Sequence, residues 1–175
     1  MDPFDLFERG SAWTAAKIPG AVGKFDNSTR CDKWTARDLL NHMLDTQRYF
    51  AGVARGESPE LPSPAPPSLL DDDPVAQYEA ARQATLAAYR APGVLDKTGP
   101  SLGFAFVDQL VHGWDLADAT GQDTTIPAEL AEPALSMIDG RLTDEQRGDA
   151  FKPAVPVADD ASPQDRLLAY VGREP

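Results

Sequence analysis

One cysteine and two histidines are all that 175 residues offer in thiolate and imidazole metal ligands. A lone Cys31 excludes an intrachain disulfide and any zinc knuckle built from several cysteines, so metal chemistry has to come from histidine and carboxylate. Positive charge is also scarce: 16 Lys and Arg stand against 28 Asp and Glu, a formal charge of −12. No basic run exists, and phosphate recognition depends on clustered Lys and Arg, which counts against a nucleic-acid partner and against an anionic membrane surface. No apolar stretch reaches the roughly 18 to 20 residues that span a bilayer, and the N-terminus Met1-Asp2-Pro3-Phe4-Asp5 lacks a basic segment followed by an apolar one. The expected location is the cytoplasm. Strand-like alternation is almost missing too. What is present, 42% hydrophobic and 25% charged residues, is the balance of a soluble globular protein. The length predicts a single domain over residues 1–175, large enough to bury a core.

Four long segments carry helical signals. Residues 4–18 space Phe4, Phe7, Ala12, Trp13 and Ile18 in a loosely helical way before Pro19-Gly20, an expected break. The second helix starts at Thr35, an N-cap with Asp38 as its capping-box partner and Trp34 and Leu39 as a staple, and continues to Ala54. Residues 57–73 contain Pro59, Pro62, Pro64, Pro66 and Pro67 and then Asp71-Asp72-Asp73, which reads as an exposed crossover. Asp73 caps a third helix that opens on Pro74 and carries Val75, Tyr78, Ala81, Leu86 and Tyr89 as far as Arg90. Pro92-Gly93 and Gly99-Pro100 bracket a loop, so the fourth helix is expected over residues 102–120 with Gly121 as its stop. A shorter helix is expected over residues 127–139, and another follows the cap Ser162-Pro163-Gln164-Asp165 and ends near Val171. Residues 151–157, with two prolines, predict a strap across the bundle. The fold class is all-α.

The two histidines carry the chemical interest. At about 100° per residue, Phe104, Val107, Leu110, Val111 and Trp114 form an apolar stripe on the fourth helix, and Asp108, His112 and Asp115 a second one about 110–120° away. Asp108 and His112, four positions apart, project from one face on successive turns and can share an ion. On the second helix Leu39, Leu40, Met43 and Phe50 mark the core face with His42 at its flank, so side-by-side packing can bring His42 to that pair. Two imidazoles and one carboxylate leave coordination positions for water or substrate, the pattern of catalytic zinc sites, and facing helices of bundles commonly build such sites. The same residues can equally form a solvated Asp–His pair beside a hydrogen-bonded boundary histidine. Spacing leaves both readings open.

The run Ser28-Thr29-Arg30-Cys31-Asp32-Lys33-Trp34-Thr35-Ala36-Arg37-Asp38-Leu39-Leu40-Asn41-His42-Met43 resembles the start of the second helix in the DinB/YfiT-like metal-binding superfamily. In more detail it resembles the actinobacterial branch related to the N-terminal domain of mycothiol-dependent maleylpyruvate isomerase. Residues 107–121, with His112-Gly113-Trp114-Asp115-Leu116-Ala117, are similar to that branch's His-Gly-Trp-Asp-Leu-Ala block, and residues 163–169 with Gly172-Arg173 resemble its ending. The resemblance implies a DinB-like up-down-down-up four-helix bundle, with one or two short extra helices near the C-terminus. It also implies a divalent metal at one end, held by His42, Asp108 and His112: zinc foremost, with nickel, iron or cobalt as alternatives. The isomerase has Glu where Asp108 stands, and the wider DinB pattern has three histidines, which this chain does not supply. The isomerase also carries a further C-terminal domain for which no room is expected here, so the maleylpyruvate reaction itself is not carried over.

Asp115, one turn beyond His112, is a candidate acceptor for the imidazole, a fourth ligand or a surface acid. Asn41 and Asp45 adjoin His42 and are candidates to orient it. Cys31 reads as a buried structural thiol, and Trp34 and Trp114 read as core. No catalytic residue is assigned. The function expected from the resemblance is metal-dependent, thiol-linked transferase or isomerase chemistry joining mycothiol to a small electrophile, in a monomer or homodimer. Two other readings stand beside it: a non-catalytic metal-binding module in stress response or regulation, and a metal-free dimerising interaction protein.

Overall fold

The computed structural model describes residues 1–31, 33–141, 147 and 151–174, and among them it is all-helical with no strand. Helix α1 (Pro3–Ala15) starts where the Asp2 carboxylate accepts the Phe4 and Asp5 N–H groups. A single turn, α2 (Ile18–Ala21), follows, and Pro19, expected as a break, lies inside it because a proline near a helix start forfeits no intrahelical bond. Helix α3 (Ala36–Ala54) opens on the complete Thr35/Asp38 capping box. Helix α4 (Pro74–Tyr89) is capped by Asp73. Helix α5 (Val94–Thr120) ends at Gly121 in a left-handed conformation, φ 71°, and α6 (Ala128–Ile138) and α7 (Pro163–Tyr170) complete the order.

Helix α5 begins eight residues before the expected 102, running through Gly99-Pro100. Pro100 cannot donate to the Asp96 carbonyl, yet packing overrides the local signal. Val94 and Leu102 belong to the core, the Thr98 hydroxyl donates to the Val94 carbonyl (2.8 Å), and the Ser101 hydroxyl bonds both the Thr98 carbonyl (2.6 Å) and Tyr89 (2.7 Å).

Helices α1, α3, α4 and α5 form a ring in which α5 lies between α1 and α3 and α4 closes the other side. Gly10 faces Phe106 while Thr14 reaches Gln109, so α1 and α5 rise together. His42 meets His112 while Gln47 meets Gln109, so α3 runs against α5. Tyr78 meets Gln109 while Tyr89 meets Ser101, so α4 also runs against α5. The order is therefore up-down-down-up, with the 57–73 crossover joining two parallel helices. Helix α6 packs on α5, and α7 packs on α6.

The α1–α5 contact is unusually close. A Cβ on Gly113 would overlap the Thr14 side chain, whose hydroxyl donates to the Gln109 carbonyl at 2.8 Å. That approach fixes the rotation of α5 at the turn that carries His112. Residues 151–157 do lie as a strap over the C-terminal end: the Val155 N–H donates to the Ala169 carbonyl at 2.9 Å. No described helix is long and apolar enough to cross a membrane.

Candidate metal centre

The antiparallel pairing of α3 and α5 brings His42, Asp108 and His112 together, each offering a ligand atom within 4.8 Å of the others. His42 Nε2 lies 3.4 Å and His112 Nε2 3.5 Å from the same carboxylate oxygen, Asp108 Oδ1. The two imidazoles stand edge to face, with centroids 5.0 Å apart. Exposure falls inward, from 14% for the Asp108 side chain and 9% for His42 to 0% for His112.

The other oxygen of Asp108 is already held. Oδ2 accepts from the Thr46 hydroxyl at 2.9 Å and from Gln109 Nε2 at 3.1 Å. The Gln109 amide is fixed in turn by the Tyr78 hydroxyl, which donates to its Oε1 at 2.6 Å. Burial alone would raise the Asp108 carboxyl, but at the acid pH where a carboxyl titrates the positive charge that His112 then carries, with His42 and the Thr46 hydroxyl beside it, holds it well below the usual carboxylate range. It is ionised at neutral pH.

Behind the site, His112 Nδ1 lies 3.0 Å from Asp115 Oδ2. Asp115 is fully buried, and the Arg173 guanidinium meets both its oxygens, Nε to Oδ1 at 3.1 Å and a terminal nitrogen to Oδ2 at 2.6 Å. Burial opposes the Asp115 charge, while Arg173 and His112 outweigh it and keep the carboxyl ionised. Burial also lowers the His112 imidazole, against the pull of Asp108 and Asp115, so the ring is neutral near pH 7.

Four buried side-chain atoms among the described residues have no hydrogen-bond partner, and three of them are His42 Nδ1, His42 Nε2 and His112 Nε2. Buried polar atoms are ordinarily satisfied. With His112 neutral and its Nδ1 engaged by Asp115, Nε2 turns a lone pair toward the ionised Asp108 Oδ1, a repulsive arrangement that a cation would relieve. The donor set therefore fits a divalent metal.

Cys31, His112 and Asp115 form a second, overlapping group of ligand-type atoms. Cys31 is buried and free, its thiol 3.5 Å from Asp115 Oδ2 and 3.3 Å from Arg173. Burial and then the Asp115 charge push that thiol far up, so it stays protonated.

Of the residues expected to orient His42, neither does so. The Asn41 carbonyl oxygen accepts the Leu69 and Leu70 N–H groups, each at 2.8 Å, and thereby ties the end of the crossover to α3. Asp45 is half-buried, and no hydrogen bond links it to His42. Trp34 is buried as expected but also walls the site: its ring lies 4.7 Å from His42, and its N–H donates to the Pro64 carbonyl at 3.1 Å. Phe151, on the strap, stacks on His112 with centroids 5.9 Å apart and planes 5° from parallel. Trp114 is core.

Thr46, Gln109, Phe151 and Arg173 are the contributors that sequence reasoning missed. Thr46 had a usable signal, since it lies four residues after His42 on the same helix face. Arg173 stood in the ending that resembles the family branch, but nothing there tied it to the site, because it arrives from 58 residues beyond Asp115.

Residues 11–117 match the family model described as the mycothiol maleylpyruvate isomerase N-terminal domain. The match includes His42, Asp108, His112 and Asp115 and stops before the strap and Arg173. Two relatives, from Mycobacterium tuberculosis strains CDC 1551 / Oshkosh and H37Rv, are each 30% identical over 186 aligned positions, covering 99% of this chain and 98% of their own; both are described as uncharacterized proteins. No solved structure matches.

Proposed function

The chain belongs to the mycothiol maleylpyruvate isomerase N-terminal domain family, and from that premise we propose that it is a divalent-metal protein that joins a low-molecular-weight thiol to a small electrophile. The observation that carries the proposal is the convergence of His42 Nε2, His112 Nε2 and Asp108 Oδ1 with no hydrogen bond among them. Two imidazole nitrogens and one carboxylate oxygen suit zinc with an open position, and nickel, cobalt or iron would accept the same donors. When bound, such an ion supplies Lewis acidity that depresses the pKa of a thiol or water.

The protein's own residues do the rest. Thr46 and Gln109 occupy Asp108 Oδ2 and so turn Oδ1 toward the imidazoles. Asp115 accepts the Nδ1 proton of His112 in a hydrogen bond, which leaves the Nε2 lone pair on the site side. Trp34 and Phe151 cover the ring faces and keep water from them. Asp108 and His42 are the two members of the trio that retain exposure. Cys31 is not the nucleophile, because its thiol is held protonated beside Asp115. The thiol has to come from outside, and the family's description names mycothiol.

The test is metal content by mass spectrometry on untagged protein beside His42→Ala and Asp108→Ala, followed by thiol consumption against a panel of electrophiles. About one equivalent of a single ion in the parent is expected, lost in both variants while helicity survives. Saturable turnover should disappear in His112→Ala. A metal-supplemented parent that retains no ion above background refutes the metal reading, and turnover retained in His112→Ala refutes the site.

A further inference from the structure

The C-terminal residues reach the metal centre through a construction that neither the family match nor the ligand spacing includes. After α7 the chain turns at Gly172, φ 78°, with the Gly172 N–H donating to the Ala169 carbonyl (3.1 Å) and the Arg173 N–H to the Leu168 carbonyl (2.8 Å). This left-handed stop reverses the backbone and sends Arg173 inward. Only glycine fits, since a Cβ there would sit 2.5 Å from Lys152 Cβ and 2.7 Å from the Pro153 carbonyl oxygen of the strap. The guanidinium is further anchored by the Val171 carbonyl at 2.8 Å. It then meets both oxygens of Asp115 in the two-pronged geometry that fixes a carboxylate's plane as well as its charge.

We infer that Arg173 is a positioning residue for the metal centre: by clamping Asp115 it fixes the tautomer of His112, so that Nδ1 carries the proton and Nε2 presents its lone pair to the ion. An ionised carboxylate only accepts, and the oxygen facing His112 Nδ1 at 3.0 Å is the one that Arg173 grips at 2.6 Å. Asp108 is an acceptor as well, but Nε2 makes no hydrogen bond to it, so Nδ1, the ring nitrogen at hydrogen-bond distance from a carboxylate, is the one that donates. A neutral imidazole has one ring proton, so the proton placed on the Asp115 side is absent from Nε2, the atom 3.5 Å from Asp108. Without the clamp the carboxylate is free to rotate away from Nδ1. Both tautomers are then populated, and apparent metal affinity falls by the fraction that carries the proton on Nε2. The inference rests on the metal reading for its consequence, while the tautomer itself is a property of the metal-free protein.

The experiment uses full-length, metal-free, ¹⁵N-labelled protein. Long-range ¹H–¹⁵N spectra of the His112 ring report the tautomer, and titration with zinc reports the Kd, for the parent, Arg173→Lys, Arg173→Gln and the surface control Arg30→Gln. The parent should show the Nδ1–H form. Arg173→Gln should show mixed tautomers and a Kd weakened by about 10–100-fold, the tautomer mixture supplying the reciprocal of the remaining Nδ1–H fraction and the lost orientation of the ring the rest. Arg173→Lys keeps a charge but not the two-pronged grip, so its loss should be smaller yet measurable, and Arg30→Gln should match the parent. A parent with the proton on Nε2 overturns the inference, as does an Arg173→Gln protein with unchanged tautomer and Kd. If Arg173→Gln does not fold, Arg173→Lys decides, and a Kd equal to the parent's overturns it. A parent that binds no zinc sinks the metal reading, and the tautomer spectra still decide the role of Arg173.

Discussion

Replacing Asp108 by Asn separates a metal centre from a polar pair that stabilises the bundle. In the parent, Oδ1 of an ionised carboxylate faces two imidazole nitrogens at 3.4 and 3.5 Å, and none of these contacts is a hydrogen bond. The amide introduced by Asp108→Asn keeps its oxygen toward the Thr46 hydroxyl and Gln109 Nε2, and its NH₂ can then donate to His112 Nε2. The change exchanges a repulsive contact for a hydrogen bond worth about 1 kcal/mol. For a chain of this length that raises the Tm of the metal-free protein by about 2–4 °C. With zinc the order inverts. Free ion at about 100 times the Kd stabilises a binding-competent fold by about 2.7 kcal/mol, or about 7 °C. The parent should gain that shift and Asp108→Asn should not. Differential scanning calorimetry with and without zinc reads both quantities. An Asp108→Asn protein that is less stable than the parent without metal would refute the reasoning, because the carboxylate would then be stabilising the metal-free fold; so would a retained zinc shift.

Gly113→Ala should destabilise by about 1–3 kcal/mol through overlap with Thr14, read as a lowered urea midpoint at unchanged slope; a loss under about 0.5 kcal/mol would mean that α1 and α5 can part freely. Cys31 should resist a thiol-specific reagent in the native protein and react fully in guanidinium, and prompt native labelling would contradict its burial beside Asp115. The metal-free protein should lose stability as pH falls below about 6.5, because the unfolded chain takes up a histidine proton that buried His112 resists, with a slope of at most about 1.4 kcal/mol per pH unit. A further loss should begin below about pH 4, where unfolded Asp115 takes up a proton that its folded counterpart, held ionised by Arg173, refuses. Urea unfolding from about pH 8 to about pH 3 checks the profile, and stability unchanged between about pH 7 and about pH 4.5 would contradict it.

The parts of this fold that were legible in the sequence are those decided locally. The Thr35/Asp38 box, the Asp73-Pro74 start, the Gly121 stop and the Ser162 cap each announce a helix end through backbone chemistry within four residues, and each stands where its signal puts it. The start of α5 was not legible, since Gly99-Pro100 speaks for a loop and only the packing of Val94 and Leu102 with the bonds of Thr98 and Ser101 overrules it. The site divides in the same way. Helical period brings Asp108, His112 and Asp115 onto adjacent turns of one helix, and resemblance names His42 as their partner. The orientation of the carboxylate by Thr46 and Gln109 and the reach of Arg173 depend on three helices and the C-terminal turn meeting, which no local pattern encodes. Asn41 shows the converse: adjacency to His42 suggested a role there, while its side chain binds the backbone of the crossover.

The overlap of two ligand-type groups on His112 resolves by charge. Helix α5 buries two carboxylates seven residues apart, and each needs a cation. Asp115 has one in Arg173, at 2.6 and 3.1 Å, so the Cys31, His112 and Asp115 group has its positive charge supplied by the protein, and its thiol remains protonated. Asp108 has hydrogen bonds from Thr46 and Gln109 and two imidazoles beside it, and neutral His112 brings it no charge. In a chain with a formal charge of −12, leaving that carboxylate with no guanidinium or ammonium bonded to it among the described residues is costly for the metal-free fold. A divalent ion completing the site offsets that cost. His112 turns one nitrogen to each carboxylate, and distance decides between them: Nδ1, 3.0 Å from Asp115 Oδ2, donates, while Nε2, 3.5 Å from Asp108 Oδ1, makes no hydrogen bond and keeps the lone pair.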